Sequence, residues 1–223
     1  PTKANETLGT WLSPDGNETE QIAHLLCKSR RFAELIRVGR ISQEDAMKAM
    51  KSTIWKSLEY PMATTSFSKK AWEAIISGIL VAGLPMMGAN QHFPRDIVFA
   101  SDQHHGFDFQ HPFYLQIIKQ IQLLFTQFDD NTPTSKLLQA NWEALVQISG
   151  LRDTATVWPW KRINQYIPVT WLGKLLEHAQ DQGIEVSLPV VSGRPREADK
   201  TIMCIFLANG LDPTTLRLLN EVR

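Results

Sequence analysis

The sequence predicts a mainly α fold, a helical bundle-like region that begins with a small N-terminal β strand or hairpin element. Apolar residues recur three and four positions apart in most segments, which is the spacing of an amphipathic helix. Thr7 to Ser13 instead alternates and then meets the turn sequence Pro14-Asp15-Gly16-Asn17, as a strand that ends in a turn does. With 223 residues, 43% of them hydrophobic, the chain can bury a core.

Three helices are expected in the first half of the chain. The first begins with Asn17 and Glu20, which have the spacing of a capping box, and ends at Gly39. Proline and glycine then separate the later helices, because proline lacks the backbone N–H that a helical hydrogen bond needs. The second and third helices are predicted from Ser42, with Asp45 at the third helical position, to Tyr60-Pro61, and from about Ser68 to Gly83-Leu84-Pro85.

The second half is predicted to be a loop followed by further helices. Residues 86–111 are rich in Gly, Pro and Asn, so we expect a loop with one short strand at Ile97-Val98-Phe99. Another strand is expected within 184–191. The remaining helices are predicted at 112–128, 134–149, 170–182, 197–208 and 213–222.

Composition excludes several classes of protein. No apolar run reaches the roughly 18 residues of a membrane span, and no secretory signal pattern opens the chain, so we expect an intracellular protein without membrane contact. Cys27 and Cys204 have no partner at metal or redox spacing, and we interpret both as buried small apolar residues. The opening proline and the helical pattern at the end predict a piece of a longer chain.

Charge is unevenly distributed although the formal net charge is zero. Residues 28–70 hold ten basic and four acidic side chains, a net of +6, whereas residues 96–145 hold two basic and six acidic ones, a net of −4. Such asymmetry is typical of a chain with one region that faces a polyanion. A solvated basic face without a ligand would give the same pattern.

Three short motifs suggest a ligand and also have plain interpretations. The stretch SDQHHGFDFQH at 101–111 holds three histidines, but His104 and His105 are adjacent and would point apart in an extended chain, so no metal site is expected. Phe128-Asp129-Asp130 resembles the metal-binding box of a polymerase, but it lacks the residue that stands between the aromatic residue and the two aspartates in that box. Trp158-Pro159-Trp160 is either an aromatic pair for stacking on bases or a packed corner.

Several blocks together resemble reverse transcriptases of non-LTR-type retroelements from protists and fungi, in the region after the catalytic box. A basic helix pair lies between the first two blocks, and the likeness covers nearly the whole chain. Each block alone would be weak. The blocks are LGTWLSPDGN, SLEYPMATTSFS, AGLPMMGANQHFPRDIVFAS, GFDFQHPFYLQ, DDNTPTSKLLQANWEALVQ and TTLRLLNEVR.

The resemblance implies a division into three regions. Residues 1–16 correspond to the end of the palm subdomain, 17–90 to a thumb-like helical region and 91–223 to a helical connection. The family's Lys-Tyr-x-Gly-Leu-Gly loop corresponds to residues 103–108, where it carries no metal ligands, and this chain departs from it at Gln103 and Asp108. Its Tyr/Phe-x-Asp-Asp box lies before the first strand, so Mg²⁺ is expected only in the full-length enzyme and no catalytic residue in this chain.

The expected role is to hold a template–primer duplex, RNA–DNA or DNA, without reading its sequence. The rest of the polymerase chain is the second expected partner. A helical protein-interaction module without a nucleic-acid role is the alternative. The predicted phosphate contacts are Lys28, Arg30, Arg31 and Arg37, then Lys48, Lys51 and Lys56, and the predicted primer-grip residues are Leu8, Gly9 and Trp11, of which Trp11 could equally be core.

Overall fold

The computed structural model confirms the fold class, because its described residues are mainly helical and form a two-stranded antiparallel sheet at the N-terminus. It describes residues 4–13, 15–128, 130–149, 160, 169–186, 188, 205, 208–210 and 215. The chain divides into two compact units, Pro1–Gln120 and Ile121–Arg223. The assignment of residues 1–16, 17–90 and 91–223 to palm, thumb and connection stays a prediction.

The predicted N-terminal β strand or hairpin element is a hairpin, and its turn interrupts the strand predicted across 7–13. Strand β1 (Asn5–Thr7) pairs with β2 (Thr10–Leu12), and Thr7 lies opposite Thr10. The two-residue turn between them has positive φ at both positions, 50° at Leu8 and 77° at Gly9. This matches the twist of a type I′ hairpin, where asparagine or glycine is the usual first residue. Leucine there gave no turn signal in the sequence.

Helix α1 (Thr19–Val38) ends at Gly39 as predicted, where the Gly39 N–H donates to the Leu35 carbonyl at 2.9 Å. The predicted capping box at its start is wrong. Asn17 Oδ1 instead accepts from the Thr19 N–H at 2.9 Å. The helix packs against α4 (Lys69–Met86) through its buried side, which includes Leu25, Ala33 and Ile36.

The second helical segment changes its winding along its length. Helix α2 (Gln43–Lys48) leads into a π-helical stretch, Ala49–Trp55, then α3 (Lys56–Glu59) and a 3₁₀ turn, Tyr60–Ala63. Its start is as predicted, since Ser42 Oγ accepts from the Asp45 N–H at 3.1 Å. Buried residues recur every four positions, at 46, 50, 54 and 58. Each such step rotates an α-helix by about 40°, and the wider π turns reduce that drift.

Helix α4 ends at Met86, one residue past the Gly83-Leu84-Pro85 segment predicted to end it. A Cβ on Gly83 would lie 2.6 Å from Met50 Sδ, so glycine there allows the π-helical stretch to pack closely on α4. Pro85 falls in the last turn, and the helix ends one residue later. Gly83, the first residue of the predicted end, therefore lies inside the helix and serves close packing.

The predicted strand at 97–99 is wrong, because these residues form part of helix α5 (Arg95–Phe99). Pro94 precedes the helix with an extended backbone, and Val98 alone of the apolar run is fully buried. Runs this short do not distinguish a strand from a helix. A loop follows that contains a 3₁₀ turn, Asp102–His104, and positive φ at His105 and Asp108.

Buried glutamines join α4 to the first part of α6 (Pro112–Phe128). Gln116 Oε1 accepts from the Trp72 Nε1–H at 2.8 Å and from the Phe67 N–H at 3.0 Å, while its Nε2 donates to the Phe67 carbonyl. Gln120 Nε2 donates to the Thr65 carbonyl at 2.7 Å. These bonds satisfy the Gln116 amide and Gln120 Nε2, whereas Gln120 Oε1 is buried without a partner among the described residues.

The second unit contains the end of α6, then α7 (Pro133–Ser149) and α8 (Trp171–Asp181), close to their predicted bounds. Ser135 and Gln139 both donate to the Phe128 carbonyl at 2.8 Å, which satisfies the end of α6. Residues 184–186 and 188 are not in a strand. The rest of the strand predicted at 184–191, and most of the helices predicted at 197–208 and 213–222, lie outside the described residues.

Candidate nucleic-acid interface

The four first-choice phosphate contacts, Lys28, Arg30, Arg31 and Arg37, are all exposed on α1, and we call them the basic face. Their exposure follows from the helical period, because Leu25, Ser29, Ala33 and Ile36 occupy the opposite, buried side. None of the four is within 4.0 Å of a carboxylate among the described residues. Helix α1 holds two acidic side chains besides, which gives it a net charge of +2.

The basic face is not one straight row. At about 100° per residue, Arg30 and Arg37 lie about 20° apart around the helix, and Arg31 lies about 100° from Arg30. Lys28 lies about 60° beyond Arg31, so the four residues span about 180° around the helix and the three arginines about 120°. One straight polyanion can therefore contact the three arginines together more readily than all four residues.

Cys27 lies within this face, between Arg30 and Arg31, and is exposed. The prediction that Cys27 is buried is therefore wrong. A single small residue at one helical position has no pattern of its own, so its burial depends on which side of the helix packs. Cys204 lies outside the described residues.

The second-choice contacts have partners inside the protein. Lys48 Nζ lies 2.7 Å from Glu44, and Lys56 Nζ lies 2.7 Å from Glu59. Lys51 Nζ stands 5.7 Å from the centre of the Phe109 ring. Although these lysines are exposed, part of their charge is already compensated.

Among the residues that the structure describes, Glu59 is the carboxylate with two lysine partners. Lys119 Nζ lies 2.8 Å from its second oxygen. Hydrogen bonds from Lys119, and then from Lys56, lower the pKa of Glu59. The cluster ties α3 to α6 within the first unit, and it leaves Lys56 less available to a phosphate than the basic face.

The predicted primer-grip residues form the hairpin turn and β2. Leu8 at the turn is 85% exposed, and a Cβ on Gly9 would lie 4.0 Å from the Tyr60 ring. Trp11 is half-buried, and its backbone N–H donates to Gln21 Oε1 of α1 at 2.7 Å. Both interpretations of Trp11 stay open, but this bond fixes the hairpin beside the helix that carries the basic face.

The histidines of 101–111 are spread over different structures. His104 ends the 3₁₀ turn and His105 follows it with a φ of 57°, and both are exposed. Among the described residues, no group of three His, Cys, Asp or Glu side chains could hold a metal ion. Asp129, Trp158 and Pro159 lie outside the described residues, whereas Trp160 is buried.

A second candidate site was missed by the sequence reasoning. A cavity of about 520 Å³ lies in the first unit and is lined by residues of α4, α5 and the start of α6. We call it the Arg95 cavity, and its polar and aromatic lining includes Lys69, Glu73, Arg95, Phe99, His111 and Tyr114. These residues are spread over 46 positions without a common spacing, so no local signal could have grouped them.

No protein-family model, curated protein or solved structure matches the chain. The relation to reverse transcriptases therefore stays a prediction that depends on the sequence blocks. None of the helices in the described part of the chain is long and apolar enough to cross a membrane.

Proposed function

We propose that this chain is the part of a retroelement reverse transcriptase that follows the catalytic box and that it holds the template–primer duplex. The observation that carries the proposal is the basic face, whose four cations are exposed and have no carboxylate partner among the described residues. The quoted sequence blocks supply the identity of the partner. In this role the protein works inside the cell, in the nucleus or cytoplasm.

Recognition by this face would be independent of sequence. Long basic side chains on a helix surface reach phosphates and not base edges, so they position a duplex without reading it. Each phosphate that a cation neutralises changes the slope of log K against log salt by about −0.9 on B-DNA. The three arginines should therefore give a slope between about −2 and −3, and Lys28 would extend it toward −4.

In the proposal, the hairpin contacts the primer strand beside this face. The exposed Leu8 and the glycine after it offer a narrow tip, and the Trp11–Gln21 bond keeps that tip at a fixed place relative to α1. Mg²⁺ and its aspartates belong to the polymerase region before this one, so the chain contributes binding and no catalytic residue.

Fluorescence anisotropy with a labelled RNA–DNA hybrid tests this proposal. The Arg30→Gln/Arg37→Gln variant should weaken binding equally for unrelated sequences and flatten the salt slope by about 2. The matched control is Lys48→Gln/Lys56→Gln, which removes the same charge from lysines that have carboxylate partners, and it should flatten the slope by less than about 1. Absent binding at low salt, or equal slopes in both variants, would contradict the proposal.

Cys27 offers an independent footprint of the same face. In a Cys204→Ser background, a maleimide should label Cys27 readily because its side chain is exposed. A saturating hybrid duplex should slow the labelling several-fold, whereas the same concentration of free nucleotides should not. Unchanged labelling in the presence of bound duplex would place the contact elsewhere.

A helical protein-interaction module is the second candidate. Leu35 and Val38 on α1 are 64% and 83% exposed, which leaves apolar side chains beside the basic face. Under this alternative, Leu35→Gln/Val38→Gln would abolish binding to a protein partner, and the hybrid would not bind at low salt. Under the leading proposal the same variant keeps hybrid binding with an unchanged salt slope.

A further inference from the structure

The Arg95 cavity has the size of a small-molecule site. Its volume of about 520 Å³ falls among ligand pockets, which span roughly 300–1,000 Å³. Apolar residues of α4, including Ile76 and Leu80, form part of its lining. Pockets of this type combine an apolar lining with a few polar groups that orient the ligand.

Three neighbouring rings form one wall of the cavity. The Phe99 and His111 ring centres are 4.8 Å apart, and those of His111 and Tyr114 are 5.1 Å apart. The rings are inclined by 62° and 52° to each other, so a planar aromatic ligand can stack on one of them while the others border its edge. His111 is held in place because its Nδ1 accepts from the Phe113 N–H at 3.2 Å.

Arg95 gives the cavity a cation with unused donors. Its Nη1 is buried and makes no hydrogen bond to any described residue. Burial lowers the pKa of Arg95, and no carboxylate among the described residues counteracts this effect. A buried donor without an acceptor is costly, and the planar guanidinium fork matches the oxygens of a phosphate.

Lys69 stands beside the rings as a second cation. Its Nζ donates to Tyr114 Oη at 3.2 Å and stands 5.4 Å from the centre of that ring. An ammonium group has three donors, so this bond leaves two. Glu73 and Asp96 also line the cavity, but both are exposed, and neither is within 4.0 Å of Lys69 or Arg95.

We propose that the Arg95 cavity binds a nucleotide unit, with its base stacked on one of the rings of Phe99, His111 and Tyr114 and its phosphate on Arg95, assisted by Lys69. This site differs from the basic face, because it takes one unpaired nucleotide by stacking and a directed phosphate contact. It does not depend on the duplex role. The same chemistry is offered by a free mononucleotide and by a nucleotide of a single strand.

Isothermal titration calorimetry with adenosine 5′-monophosphate (AMP) tests the site. AMP should bind more tightly than adenosine or inorganic phosphate, since each of these supplies half of the contacts. Arg95→Gln should weaken AMP about tenfold or more and leave adenosine unchanged, because a charge-assisted bond is lost. The matched control, Arg37→Gln on the basic face, should leave AMP binding within about twofold of wild type, since exposed surface changes far from the site have small effects.

Lys69→Gln keeps the test decisive if Arg95→Gln does not fold, because Lys69 is exposed at the start of α4. It should weaken AMP about threefold or more, the loss of one solvent-exposed charged contact. Competition by a five-nucleotide deoxyadenylate strand would assign the site to a strand, and its absence would assign it to a free nucleotide. No AMP binding at millimolar concentration, or equal AMP affinity in these variants and wild type, would overturn the proposal.

Discussion

The basic face of α1 and the Arg95 cavity both carry cations without a carboxylate within 4.0 Å among the described residues, but burial makes them different. Water solvates each arginine of the basic face, so leaving it unpaired costs little, and it attracts phosphates over a distance set by salt. Arg95 has lost part of its water, and its buried Nη1 gains a partner only from a correctly placed acceptor. The exposed face is therefore suited to sequence-independent attraction, whereas the cavity is suited to a directed contact.

The largest expected effect is a loss of stability that disrupts the Arg95 cavity and leaves the basic face intact. A Cβ on Gly106 would lie 2.7 Å from the Ile97 carbonyl oxygen and still nearer the Ala100 carbonyl, at the end of the helix that carries Arg95 and Phe99. Gly106→Ala should lower the free energy of unfolding by about 3 kcal/mol, because rigid backbone must move. It should also abolish AMP binding while the folded protein keeps its salt slope for hybrid duplex.

Gly78→Ala is the matched control, measured by the same urea titration. Gly78 is exposed within α4, and no atom lies within 4 Å of its added Cβ. This change should raise the free energy of unfolding by about 0.5–1 kcal/mol, since alanine restricts the unfolded chain and favours helix. Equal effects of the two substitutions would mean that the loop after α5 is not packed as described.

A smaller effect is the change in the free energy of unfolding when a buried or an exposed arginine is replaced by methionine. Arg95→Met removes a buried donor without a partner and keeps apolar volume, so it should stabilise the fold by about 1 kcal/mol. Arg37→Met removes a solvated cation and should change stability by less than about 0.5 kcal/mol. Urea midpoints at equal m-values measure both. A loss of more than about 1 kcal/mol for Arg95→Met would identify Arg95 as a structural group.

The smallest effect is a pH dependence that arises in the cavity. Burial, and then the charge of Lys69, lower the pKa of His111. The charge of Glu73 acts in the opposite direction. The unfolded chain then takes up the proton first as the pH falls below about 6.5, so the contribution of neutral His111 is present above that pH and is lost below it. After screening by solvent the loss should stay below about 1 kcal/mol.

The measurement compares wild type with His111→Gln at pH 7.5 and pH 5.5. The urea midpoint of wild type should fall more on acidification than that of the variant. His104→Gln, at an exposed loop position, controls for the loss of one histidine. A wild-type midpoint that falls no more than that of His111→Gln would show that the ring is protonated without cost and contributes nothing to the chemistry of the cavity.

Sequence patterns were sufficient to predict the bounds and the exposed side of a helix where one apolar period runs along its whole length. The apolar spacing of α1 placed its basic residues on the exposed side, and the spacing of α6, α7 and α8 gave bounds within a few residues of those observed. Long amphipathic helices are determined locally because every turn repeats the same division between core and solvent. The helix start predicted at Ser42 is also confirmed, since Ser42 Oγ accepts from the Asp45 N–H.

The same patterns failed where a short stretch or a single residue is decided by its neighbours. Ile97-Val98-Phe99 became a helix, the strand at 7–13 became a hairpin through positive φ at Leu8, and Gly83 accommodated Met50 inside a helix. Each of these short sequences is compatible with more than one local conformation. Contacts with distant parts of the chain select among them, and those contacts have no period.

By itself the sequence determined a mainly helical chain with an N-terminal β element and an exposed basic helix, because composition and period control which surface is buried. Only the tertiary structure decided which cations are free. It paired Lys48 and Lys56 with carboxylates, left the basic face without a carboxylate partner among the described residues, and brought Lys69, Arg95 and His111 around one cavity. The reason is that only groups a few ångströms away in space can neutralise a charge or accept from a donor. Folding sets those distances independently of the separation of the residues along the chain.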